Sequence, residues 1–204
     1  MVQSLDRIKE SASQTAGPYV HIGLTPNFCD IGGVYAEDLG ASMVNADTRG
    51  ERITIRMRAI DGTGTPLRDA LIEIWQADAD GLYNSPAETR GAADPNFTGW
   101  GRKPVDLTTG ECMFETIKPG RVPFPDGRLM APHLTVWIVA RGINLGLHTR
   151  MYFGDEEEAN AKDPILSRIE HHIRVPTLIA PRAGDIYTFD IHLQGDKETI
   201  FFDS

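Results

Sequence analysis

Residues 52–60 read RITIRMRAI, with Ile53, Ile55, Met57 and Ala59 at every second position and Thr54, Arg56 and Arg58 between them. A strand turns that spelling into one apolar and one solvated face, whereas a helix would scatter the same residues around its circumference. The period recurs in Leu134, Val136 and Ile138, and again in Tyr187, Phe189, Ile191 and Leu193. ALIEIWQA (70–77) reads as a further strand, with Ile72 and Ile74 opposite Glu73 and Trp75, and DGTGTP (61–66) supplies a turn after the first strand. A strand with one apolar face needs a second layer to cover it. The expected fold is therefore mainly β, an antiparallel β-sandwich or a barrel, with long loops and few helices.

Helical patterning is confined to short pieces: an acidic turn in DEEEANAKDP (155–164) and a short amphipathic helix in ILSRIEHHI (165–173), ahead of Pro176. Two stretches without strand or helix pattern, 20–50 and 79–110, exceed ordinary connections and are expected to carry function or subunit contacts. At 204 residues the chain suits one domain, 1–204. Twenty basic residues against twenty-nine acidic ones give a net charge of −9, which argues against a partner that tracks phosphates. MVQSLDRIKESASQTAG (1–17) has no apolar run of the signal-peptide kind, and no stretch reaches the length of a membrane span, so a cytoplasmic location is expected. Cys29 and Cys112 lack metal-ligand spacing and are expected to be plain thiols.

Local motifs define no self-contained active site. The six histidines (21, 133, 148, 171, 172 and 192) include no H-x-H or H-x3-H pair, and the neighbours His171 and His172 would point apart on a helix. His192 falls on the solvated phase of its strand, and His133 reads as a histidine satisfied by a nearby carbonyl or carboxylate. There is no G-x-S-x-G elbow, phosphate-binding glycine loop, zincin or EF-hand pattern.

Taken in order, TAGPYVHIGL (15–24), LRDALIEIWQADADGLY (67–83), DPNFTGWGR (94–102), FETIKPG (114–120), APH (131–133), ARGINLGLHTRMYF (140–153) and FDIHLQGDKETIFFD (189–203) resemble the intradiol ring-cleaving dioxygenases over nearly the whole chain. The resemblance implies a ferric ion held by two tyrosines and two histidines. Hard phenolate oxygens suit Fe(III), which binds a catechol as a chelated dianion and makes it reactive towards O2. Carried onto this chain, the second tyrosine falls on Val122, the first histidine on His133 and the second on Thr135. The first tyrosine would lie near Thr89 and Arg90, and Tyr83 matches an earlier, non-ligand tyrosine. Valine has no donor atom, a threonine hydroxyl is a feeble one, and a lone imidazole does not hold ferric iron.

A vestigial pocket at His133, Val122 and Thr135, with no metal of its own, fits one role in this family. The resemblance implies the alpha chain of a two-chain enzyme, with Fe(III) on a homologous beta subunit. The pair is expected to be an obligate heterodimer within a higher symmetric oligomer, acting on protocatechuate and O2 in aromatic catabolism. It further implies that an N-terminal arm, about 1–25, contacts the partner, and that Gly17, Pro18 and Tyr19 reach the partner's site. Gly17 permits close backbone approach, Pro18 fixes chain direction, and Tyr19 brings a ring and a hydroxyl. Without the resemblance the same residues read as an ordinary turn before a short strand. Arg141 matches an arginine near that pocket, and its planar fork suits the substrate carboxylate. A competing reading is a free-standing β-sandwich that binds small aromatic acids in a remnant pocket around His133, Arg141 and His148. A third is a self-sufficient metalloenzyme with rearranged ligands.

Overall fold

In the computed structural model, which describes residues 15–17, 19–144 and 146–203, two sheets stack face to face. One has the order β4 (Glu111–Ile117), β1 (Arg52–Ile60), β9 (Ile186–His192), β8 (Arg182–Ala183). The other has the order β3 (Trp100–Pro104), β2 (Leu71–Trp75), β5 (His133–Val139), β6 (Leu147–Phe153), β7 (Ile179–Ala180). The alternating residues meet where their spelling places them. Ile53, Ile55 and Met57 of β1 are buried in one cluster with Ile72 and Ile74 of β2 and Leu134, Val136 and Ile138 of β5. Phe153 and Tyr187 cross between the sheets edge to face, with centroids 4.8 Å apart. Each such side chain contributes about 1.5–3 kcal/mol on burial, more than strand propensity alone supplies.

The sandwich is as expected, and no barrel closes. Most pairings are antiparallel, but β1 pairs β9 and β6 pairs β7 in parallel. Parallel neighbours need a crossover connection. Between β6 and β7 that crossover contains α2 (Glu157–Ala161) and two 3-10 pieces, Leu166–Arg168 and His172–Leu178. A single amphipathic helix was expected over 165–173. The Asp163 carboxylate instead accepts the amides of Ile165 and Leu166, at 2.8 and 2.9 Å, and draws the chain into a tighter turn. The second 3-10 piece runs through Pro176, which a short i→i+3 turn accommodates more readily than an α-helix.

A second departure lies near the start. Tyr19–Leu24 forms a helical segment, α1, where a turn and short strand were one reading. Its His21 ring donates from Nε2 to the Asp69 carbonyl at 3.0 Å, which docks α1 beside β2. Pro18 and residues 1–14 lie outside the described residues.

The long connections are organised around buried carboxylates. Asp78 accepts from the amides of Asp80 and Leu82 through one oxygen and from that of Asp94 through the other. Asp94 in turn accepts from the amides of Arg49 and Asn96, which hold its carboxyl below the ordinary value. Buried Gln76 ties the sheets together, donating to the Ile117 carbonyl at 2.9 Å and accepting from Thr116 Oγ1 at 2.8 Å. Among the described residues no helix is long and apolar enough to cross a membrane.

Candidate functional site

The outer face of the five-stranded sheet follows from strand register. Opposite one another stand His133 and Tyr152, Thr135 and Arg150, and Trp137 and His148 on β5 and β6. Trp75 of β2 stands opposite Thr135 on the other side. Over one end of this face folds the hairpin 122–130, closed by Met130 N to Val122 O at 2.9 Å and Phe124 N to Arg128 O at 2.7 Å. The chain leading into it rests directly on residues 79–81: a Cβ at Gly120 would lie 2.5 Å from the Ala79 carbonyl oxygen and the Gly81 nitrogen, so only glycine fits. Between this hairpin and the 83–90 loop opens a cleft of about 510 Å3, lined by Trp75, Tyr83, Glu88, Arg90, Val122 and Phe124 among others.

Of the positions to which the resemblance assigned a metal ligand, Val122 and the Thr89–Arg90 stretch line this cleft, whereas Thr135 lines a neighbouring pocket with Trp75 and Trp137 and His133 is buried at the start of β5. Val122 is buried with Ala77 and Met130. Thr89 and Arg90 line the cleft, with the Arg90 guanidinium forked onto the Glu88 carboxylate. That fork, with the Tyr83 amide behind it, brings the Glu88 carboxyl down to about 2. His133 is buried, donates from Nδ1 to the Ala131 carbonyl at 2.8 Å, and packs on the Tyr152 ring at 5.6 Å. Burial lowers its pKa to about 4, and the nearby Arg150 charge pushes the same way. The carbonyl partner anticipated for His133 is thus Ala131. Tyr83 stacks on Trp75, with centroids 5.8 Å apart and planes within 1°.

Arg150 was not among the residues singled out in the sequence. Its guanidinium reaches Met130 Sδ at 3.5 Å and stands close enough to Tyr83, His133 and Tyr152 to bias the ionisation of all three. A clue was present: Arg150 shares its strand phase with His148 and Tyr152, hence the face of β6 that adjoins His133 and Thr135. The surroundings do not suit a ferric ion. Val122 offers no donor, Arg90 is taken up by Glu88, and a fixed guanidinium stands beside the one imidazole. Among the described residues no three of His, Cys, Asp and Glu converge in a metal-binding group.

Gly17 and Arg141 come together at a different edge. Thr15 pairs with Asn144 as an isolated bridge, donates to the Ala140 carbonyl at 3.3 Å and accepts from the Gly142 amide at 3.0 Å. This lays residues 15–17 against the β5–β6 loop, and Gly17, His21, Phe28 and Arg141 line a common cleft of about 620 Å3. Tyr19 is 79% exposed, and the Arg141 side chain, 83% exposed, makes only a loose pair with Asp69 at 3.5 Å. Other large apolar side chains exposed nearby in sequence are Ile22, Phe28, Ile31, Val34 and Tyr35.

The pocket expected from His133, Arg141 and His148 does not form. His133 begins β5 and Arg141 follows its end, so at ~3.3 Å per residue they lie roughly 25 Å apart along the strand. His148 sits by the Trp137 ring, between those ends. The two cysteines are free thiols, and burial raises Cys112 to about 12.

The sequence model of one protein family, described as Dioxygenase, matches residues 24–195. The protocatechuate 3,4-dioxygenase alpha chain of Pseudomonas putida is 41% identical over 203 residues, which cover 98% of each chain. The protocatechuate 3,4-dioxygenase beta chain of Burkholderia cepacia is 33% identical over 183 residues, covering 80% of this chain and 77% of that one. Among solved structures, 3-chlorocatechol 1,2-dioxygenase from Rhodococcus opacus 1CP superposes with a TM-score of 0.58 at 22% identity, covering 79% of this chain and 67% of that one, a likeness of fold alone. With a sandwich of this type, a family match over most of its length and an alpha chain matched nearly end to end, the chain belongs to the intradiol dioxygenases, as a homologue of the protocatechuate 3,4-dioxygenase alpha chains.

Proposed function

We propose that this chain is the non-iron-binding alpha subunit of a cytoplasmic protocatechuate 3,4-dioxygenase, one sandwich domain with an N-terminal arm, paired with a homologous beta subunit. The observation that carries the reading is the near end-to-end likeness to an alpha chain in a chain whose ligand positions hold Val122 and Thr135 beside Arg150. Fe(III) on the partner supplies the catechol and oxygen chemistry. The ring opens between its two hydroxyl-bearing carbons, both atoms of O2 enter the product, and 3-carboxy-cis,cis-muconate results.

This chain's contribution is an edge presented to that site. Gly17 lets backbone approach closely, Pro18 and Tyr19 follow it, and Tyr19 is exposed with its ring and hydroxyl available. Arg141, held only loosely by Asp69, can turn its fork to the substrate carboxylate. The likeness to a beta chain supports a partner of the same fold.

The test is production of the chain alone and together with a homologous beta chain. Iron and protocatechuate-dependent O2 uptake are expected only from the pair, and a chain that binds iron and turns over alone overturns the reading. In the pair, Arg141→Ala is expected to raise KM for protocatechuate by about tenfold to a hundredfold, the range for losing a charge-assisted fork. Tyr19→Ala is expected to raise KM or lower kcat with iron content unchanged. Wild-type kinetics in both variants would remove the arm and Arg141 from the substrate site.

A further inference from the structure

Arg141 stands at the tip of a tight turn. The Ile143 amide donates to the Ala140 carbonyl at 3.2 Å, and between them Gly142 takes φ +86° while Arg141 keeps a negative φ. That combination is a type II turn, whose third position calls for glycine. Ala140 and Ile143 are buried at its base, whereas Arg141 and Gly142 are exposed. A type II turn becomes type I when its central peptide flips, here the Arg141–Gly142 unit, and the closing hydrogen bond of the turn does not hold that peptide.

The bond that does hold it comes from the start of the chain. Thr15 Oγ1 accepts the Gly142 N–H at 3.0 Å and donates to the Ala140 carbonyl at 3.3 Å, so one hydroxyl grips the backbone on both sides of Arg141. Thr15 lies two residues before Gly17, and its bridge to Asn144 sets the two segments side by side. Further along, the His21 ring is bonded to the Asp69 carbonyl, and the Asp69 carboxylate is the loose partner of Arg141. Thr15 itself is exposed and outside the core, so its side chain adds little to the stability of the sandwich.

We propose that Thr15 is a positioning residue for the reaction: its hydroxyl fixes the Arg141–Gly142 peptide and holds the Arg141 turn and the Gly17 backbone in one arrangement before substrate arrives. Order imposed in advance lowers the entropic cost of binding, so the effect falls on KM and not on turnover. The inference rests on the proposed place of Arg141 at the substrate carboxylate.

The experiment is steady-state kinetics of the co-produced pair with protocatechuate for Thr15→Val, Thr15→Ser, Arg141→Ala and the double variant Thr15→Val/Arg141→Ala. Valine keeps the shape of threonine and removes the hydroxyl. Thr15→Val is expected to raise KM about threefold to tenfold, the range for one lost hydrogen bond, with kcat and iron content unchanged. Thr15→Ser keeps the hydroxyl and is expected to restore the original KM. In the Arg141→Ala background the valine substitution is expected to add nothing, since residues that act through one another are not additive. An unchanged KM in Thr15→Val, a serine variant that behaves like valine, an equal rise in KM in the Arg141→Ala background, or a loss of pairing or iron in Thr15→Val would each overturn the proposal. Wild-type kinetics in Arg141→Ala would instead remove Arg141 from the substrate site and the proposal with it, whereas an impaired Arg141→Ala beside an unimpaired Thr15→Val removes the clamp alone.

Discussion

Asp163→Ala is expected to lower the unfolding free energy by about 4 kcal/mol, among the largest effects of a single substitution. Asp163 is fully buried and makes three short bonds to backbone amides: one oxygen accepts from Ala131 at 2.7 Å, the other from Ile165 at 2.8 Å and Leu166 at 2.9 Å. A longer contact at 3.4 Å reaches the Tyr152 hydroxyl. Hydrogen bonds to a charged group contribute about 1.5–3 kcal/mol each, and alanine would leave three amides without their acceptor. Partial solvation of the opened site keeps the sum below simple addition. With a urea m-value of about 2 kcal/mol/M, the midpoint should fall by about 2 M. The damage should start where Ala131 leads into β5, so His133 should lose hydrogen-exchange protection before the middle of the strand does. A loss under about 1 kcal/mol would show that the 163–166 turn does not hold the start of β5 in place.

The second large effect is sensitivity to acid. Burial, and then Arg150, lowers His133 from 6.5 to about 4 in the folded chain. Between those values the unfolded chain binds a proton that the folded chain refuses, so stability rises with pH across the window and is lost as pH falls through it. From pH 7 to pH 4.5 the loss is roughly 2 to 3 kcal/mol for this one group. Asp163, also near the ring, opposes part of the shift. His133→Asn is the informative variant, because its side-chain amide can still donate to the Ala131 carbonyl and does not titrate. Its stability should fall less steeply between pH 7 and 4.5, with the curves converging near neutrality. If the two proteins lose stability in parallel, His133 is not the group responsible.

Strands were legible in the sequence wherever one side of the sheet is core and the other is water. Ile53, Ile55 and Met57, or Leu134, Val136 and Ile138, need no knowledge of the rest of the chain to be assigned a face. The segments misread were those whose conformation is set by a distant group. α1 is docked by a His21 bond to the carbonyl of Asp69, and the tight turn after Pro164 by the side chain of Asp163. Neither bond leaves a periodic trace. That Val122 carries no donor and Thr135 only a hydroxyl is legible because a residue's chemistry is visible at its own position, whereas Arg150 comes opposite Thr135 only through the register between β5 and β6. His133, Arg141 and His148 looked like one pocket because they are near in sequence, and an extended strand separates such neighbours.

The parallel ladder between β1 and β9 joins residues as far apart as Arg58 and Asp190, which exchange a two-pronged ion pair across 132 positions. Contacts of such high sequence separation form late, since loop-closure entropy must be overcome before they yield anything. During synthesis β1 can pair with β4, but its other edge stays open until β9 (Ile186–His192) has emerged. The nascent chain therefore carries an unpaired, apolar-backed strand edge while the more than one hundred residues between β1 and β9 are made, the kind of edge on which chains aggregate. A chaperone requirement during synthesis, and low yield of C-terminally truncated forms, follow from the order of strands in that sheet.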